Sequence, residues 1–152
     1  MQLTAEMLGR AAPTATKVVS VRVPEFGPGT IAYLGEMSAT ERDERIEIAW
    51  LEHCQAHGKD AEKGVGFRAW AVAASLCDPQ RKWLAADAAA IASLAGPLGT
   101  APTNVVTRCF LQVKQLQGLT KDDVEALEKN LPAAVAASSG SPSASASAPS
   151  AS

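Results

Sequence analysis

The chain has 152 residues, 47% hydrophobic and 20% charged, with 16 acidic side chains against 14 basic ones. That balance fits one ordinary globular domain and excludes wholesale disorder. It also lacks the clustered lysine and arginine of a nucleic-acid interface, and no apolar run reaches the roughly 18 residues a membrane span needs.

The opening stretch MQLTAEMLGRAAP has no positive segment leading into a long apolar core, so no signal peptide is expected. Cys54, Cys77 and Cys109 are three in number and far apart. An odd, scattered set suits buried thiols in a reducing cytoplasm better than a disulfide framework. A cytosolic protein is the expectation.

Thr4 can cap a short helix from Ala5 to Gly9, ended by Gly9 and Pro13. Residues 17–23 and 30–34 read as two strands joined by Pro24-Glu25-Phe26-Gly27-Pro28-Gly29. Pro24 cannot donate to a ladder and so marks an edge or a strand end, while Pro28-Gly29 supplies turn chemistry. Phe26 is a large apolar side chain placed on that loop.

Ser38 and Glu41 have the spacing of a capping box, and Glu41, Asp43 and Glu44 suit the positive end of a helix dipole. A helix is expected to run to about His57, with Gly58 as its stop. Ile46, Ala49, Trp50, His53 and His57 form its apolar stripe. Arg42 and Arg45 interleave with acids, as on a solvated face. Gly64-Val65-Gly66 reads as a link rather than a phosphate loop, since no Gly-Lys-Ser/Thr follows.

Residues 68–77 are apolar on all sides. They fit either a buried helix, or a strand that turns at Asp78-Pro79-Gln80 and returns through Trp83. Periodicity does not choose between the two; a hairpin over part of the segment is the favoured reading. A short helix at 86–95 is expected to break at Gly96-Pro97. The next begins near Pro102, with Val106, Cys109, Phe110, Val113 and Leu116 as its stripe and Gly118 as its end. Thr120 to Asp123 caps a last helix reaching about Asn130, with Leu119 and Val124 placed as a hydrophobic staple. Residues 131–152 are almost all Ala, Ser and Pro, without charge or aromatic, and are expected to be disordered. The fold class is therefore α+β and mostly helical. A small N-terminal β-hairpin packs with three to four helices in one domain, 1–130, before a disordered tail, 131–152.

Side chains that could carry chemistry are sparse. His53 and His57 lie one helical turn apart and could share a zinc ion, but Cys54 points about 100° away and further ligands would have to come from folding. Cys54 beside His53 lacks any visible means of stabilising a thiolate, and no Gly-x-Ser-x-Gly elbow occurs. The carboxylates Glu41, Asp43, Glu44, Glu47 and Glu52, and later Asp122, Asp123, Glu125 and Glu128, read as solvated helix faces. No catalytic residue, cofactor or metal is expected; His53, Cys54 and His57 are the metal candidates. Aromatic residues such as Trp50, Trp70, Trp83 and Phe26 serve either the core or a partner surface.

The order of segments adds a resemblance. LTAEML, VRVPEFGPG, SATERDE, FRAWAVAASLCDPQRKWL and VVTRCFLQVKQLQGLTKDDVEALEKN follow one another as in the tail assembly chaperones of long-tailed bacteriophages, which the chain resembles over nearly all of 1–130. Three departures stand out: DPQRKW lacks a glycine after the Asp turn, Gln117 stands where Asn is more usual, and residues 96–103 are unusually rich in Gly and Pro. The resemblance implies a non-enzymatic protein of the host cytoplasm that coats the tape measure protein, helps bring tail tube protein to it, and is absent from the mature virion. It also implies a longer form made by programmed frameshift, through which the tube protein is engaged, and self-association. Neither nucleic acid nor membrane is an expected partner. Phe26, Ile46 and Trp50 are the candidate client contacts, within an amphipathic groove that takes a client helix. The competing readings are a small tail-completion or tube-associated virion protein, and a small metal or thiol enzyme centred on His53, Cys54 and His57.

Overall fold

A computed structural model describes residues 2, 4–7, 14–57 and 66–129. The expected tail at 131–152, the helix end at Gly9 and Pro13, the stop at Gly58 and the Gly64-Val65 link lie outside the described residues. The fold is α+β and mostly helical, and no helix among the described residues is long and apolar enough to cross a membrane.

Alternation yields a hairpin of β1 (Val18–Arg22) and β2 (Ile31–Gly35), antiparallel, with Val21 opposite Ala32 and Ser20 opposite Tyr33. Pro24 ends β1 and opens a single 3₁₀ turn, Pro24–Phe26. A third short strand, β3 (Leu76–Cys77), pairs antiparallel with β2, so the order is β1-β2-β3. The register puts Val19, Val21, Ala32 and Leu34 on one face, against the helices. Val18, Ser20, Arg22, Ile31, Tyr33 and Gly35 lie on the other.

Ser38 and Glu41 form the expected capping box, each side chain bonding the other's amide. Three helical pieces then run on without a break and are together called α1: Ala39–Arg42, Asp43–Ile48 and Ala49–His57. The middle piece is π-helical. Its wider turn accompanies the first surprise, because Arg45 and Ile46 are both buried there. Arg45 was expected on a solvated face. Instead its Nε and Nη2 donate to the Ala74 carbonyl and Nη2 also donates to the Ala85 carbonyl, at 2.8–3.2 Å.

The ambiguous apolar segment is a helix, α2 (Phe67–Ser75), and not a strand; only its last two residues, as β3, join the sheet. A helix apolar all round belongs in a core, and Trp70 through Ser75 are wholly buried. Its alanines let α3 (Ala88–Thr100) and α4 (Thr103–Gln117) approach closely. After β3 the chain does turn as the hairpin reading required. The Asp78 carboxylate accepts from the amides of Gln80 and Lys82, and Cys77 bridges to Trp83.

Asp87 caps α3 through the Ala90 amide. The helix was expected to break at Gly96-Pro97 but continues through both to Thr100. Leu94 and Leu98 pack on the core from either side of Pro97, and that burial outweighs the one main-chain bond the proline removes. On α4 the buried face is Val105, Cys109, Phe110, Val113 and Gln117, a small rotation from the expected stripe, leaving Val106 and Leu116 half-buried. Gly118, at φ +64°, ends α4 with a left-handed residue, where only glycine is free of strain. Thr120 and Asp123 form a second capping box for α5 (Lys121–Glu128), and Leu119 and Val124 are both buried, as a staple requires.

Candidate partner-binding surface

The proposed client contacts separate cleanly. Ile46 and Trp50 are only 1% and 2% exposed and belong to the core, so neither is a surface contact. The Trp50 indole donates to the Leu127 carbonyl at 2.7 Å and packs at 5.6 Å from both Phe67 and Trp70. Their positions on the apolar stripe of an amphipathic helix point to the core by the ordinary rule. Phe26, in contrast, is 53% exposed.

The main chain that carries Phe26 is braced, while the side chain itself is exposed. The tip of the hairpin closes on itself through Val23 N–H to Thr30 O, Phe26 N–H to Val23 O, Gly27 N–H to Pro24 O and Thr30 N–H to Gly27 O, all near 3.0 Å. Gly27 and Gly29 take φ of +133° and +78°, which this tight path demands of glycine. From α4, Arg108 grips the tip. Its guanidinium donates to both Glu25 oxygens, at 3.1 and 2.8 Å, and to the Arg22 carbonyl at 2.8 Å. The Arg108 bonds hold the Glu25 carboxyl below its ordinary range. Phe26 is legible in the sequence but this clamp is not, since Arg108 lies 83 residues from Glu25 and no local pattern links them. Ile31, 45% exposed at the start of β2, is the other exposed large apolar group next to the hairpin tip.

A second constellation joins Glu41, Arg45, Arg81 and Trp83. The Trp83 ring has Arg45 Cζ at 4.6 Å and Arg81 Cζ at 4.8 Å from its centroid. Its indole donates to Glu41 at 3.2 Å, and Glu41 also accepts from the Ser38 amide and from Arg81. Burial alone would raise the Glu41 carboxyl, but these donors outweigh it and hold it below its ordinary value. Burial pushes the Arg45 guanidinium down. Each of the four side chains is bonded within the fold, and the cluster locks α1 to the β3 turn.

The metal candidates are not brought into a site. The rings of His53 and His57 lie 4.3 Å apart by their centroids and the His53 ring lies tilted 4.9 Å from that of Trp70, while Cys54 is buried. Among the described residues no three His, Cys, Asp or Glu side chains gather as metal ligands. Burial and the His57 charge lower the His53 pKa, and burial raises those of Cys77 and Cys109, away from thiolate character. Against protein-family models, curated proteins and solved structures the chain shows no match.

Proposed function

We propose that the protein is a non-enzymatic tail assembly chaperone of a long-tailed bacteriophage. It binds the tape measure protein, keeps that long client soluble, and helps bring tail tube subunits to it. It works in the host cytoplasm and leaves before the virion is complete. The observation that carries this reading is the order of sequence segments, from VRVPEFGPG through SATERDE to LQGLTKDDVEALEKN.

The hairpin tip adds physical support. An aromatic anchor gives most when it is already fixed in its bound position, because less conformational entropy is lost on binding. The turn that carries the exposed Phe26 has its main chain braced in this way, by four main-chain bonds and the Arg108 clamp. The test is co-expression with the tape measure protein of the same phage, scoring client solubility and co-elution. A client that dissolves only with this chain and elutes with it supports the reading; an insoluble client and no co-elution contradict it. Mass spectrometry of purified particles separates this reading from a virion component, which would be found there.

A further inference from the structure

The β1 strand is an edge of the sheet. Val23 N–H bonds Thr30 O and Glu36 N–H bonds Lys17 O, so the odd-numbered residues of this strand face β2. The main-chain groups of Val18, Ser20 and Arg22 therefore point outward. The Arg22 carbonyl is taken by Arg108. The donors and acceptors of Val18 and Ser20 have no partner among the described residues, and Ser20 is exposed. Neither a proline nor a bulge blunts the strand between Val18 and Arg22.

We infer that this edge binds an extended segment of a partner polypeptide as a fourth strand, and that the segment carries acidic residues beside its pairing core. Main-chain bonds to Val18 and Ser20 supply the docking, as in other strand additions. The charge follows from the strand itself. KVVSVR, residues 17–22, has a cation at each end and no acid. Neither Lys17 nor Arg22 has an ion-pair partner among the described residues. A second copy of β1 would add a further lysine and arginine to this edge and no acid to meet them. An acidic segment is attracted instead. This inference stands on the sheet edge and does not depend on the function proposed above.

The test uses the full chain and a fluorescein-labelled peptide of alternating valine and threonine bracketed by glutamates, with a lysine-bracketed counterpart. The glutamate peptide is expected to bind saturably, at least tenfold more tightly than the lysine one. Ser20→Pro removes an outward amide without touching the β1–β2 ladder. It is expected to keep the circular dichroism spectrum and to weaken binding at least tenfold. Arg22→Glu with Lys17→Glu is expected to invert the peptide preference, and decides the matter should the proline variant fail to fold. Equal binding of both peptides, no binding at millimolar concentration, or full binding by folded Ser20→Pro would overturn the inference. So would strong exchange protection of the Ser20 amide in the free chain, or a dimer that Ser20→Pro abolishes, since the edge would then already have an occupant.

Discussion

The guanidinium carbon of Arg45 lies 4.6 Å from the ring centroid of Trp83, with the side chain buried between α1 and the end of α2. One cation thus ties together a helix, the Ala74 carbonyl and the Ala85 carbonyl ahead of α3. Truncating it orphans two buried acceptors and empties the space against the indole. Arg45→Ala should therefore cost about 3 kcal/mol. Arg45→Lys keeps the charge but has no planar fork to span both carbonyls, and should recover less than half of that loss. Urea unfolding followed by tryptophan fluorescence measures both. A loss under about 1 kcal/mol for the alanine variant would refute the tie.

Gln117 plays a similar part on the other side. Its oxygen accepts from the Met37 amide, and its nitrogen donates to the Gly35 carbonyl and the Ser75 hydroxyl. One amide group fastens α4 to the end of β2 and to α2. Gln117→Leu should destabilise by about 2–3 kcal/mol through the unsatisfied partners, read as a lower urea midpoint at unchanged m-value. An unchanged midpoint would mean that water replaces the amide without loss.

Arg81 adopts φ +66°, at the turn where the sequence lacks a glycine. A left-handed non-glycine residue costs roughly 1–2 kcal/mol. Here its head group compensates, donating to the Glu36 carbonyl at 2.8 Å, pairing with Glu41 and stacking on Trp83. Arg81→Ala loses those contacts and keeps the strain, whereas Arg81→Gly loses the contacts and relieves it. The glycine variant should melt as the more stable of the two by about 1 kcal/mol. The reverse order would show that the turn relaxes once the arginine is gone.

The Glu25–Arg108 clamp makes the hairpin tip sensitive to acid. Because Arg108 lowers the Glu25 pKa in the folded chain, the clamp is intact above the ordinary glutamate value of 4.5 and is lost as pH falls through the lower folded value. Carboxyl carbon shifts in an NMR titration should place the Glu25 midpoint below 4.5, with the amides of Val23 and of residues 25–27 moving at the same pH. Glu25→Gln should abolish that movement. A Glu25 midpoint at or above the ordinary value would mean the ion pair is not formed in solution.

Local chemistry was legible in the sequence wherever it was self-contained. Both capping boxes, the hairpin with its Pro24 stop, and the glycine end of α4 are fixed by residues within a few positions of each other. What escaped was decided by distant partners. The burial of Arg45 depends on carbonyls 29 and 40 residues away, and a cation among acids otherwise signals a wet face. The α2 segment is apolar on every side, so periodicity was silent and only packing between α3 and α4 chooses helix. Pro97 reads locally as a breaker, but Leu94 and Leu98 anchor both of its flanks on the core. At the surface, Phe26 was read from its loop, whereas Ile46 and Trp50 show that an apolar stripe speaks for the core first.

If the chain holds a tape measure client as proposed, Phe26 is the exposed anchor that the hairpin tip presents to it. Phe26→Ala removes an exposed side chain and should change stability by less than about 0.5 kcal/mol. The decisive measurement is therefore the amount of tape measure protein that co-purifies with the wild-type chain and with Phe26→Ala after co-expression at matched levels. A soluble complex is expected with the wild type, and at least a tenfold smaller yield with the variant. Equal yields would contradict Phe26 as the anchor, and no complex with either chain would contradict the chaperone reading itself.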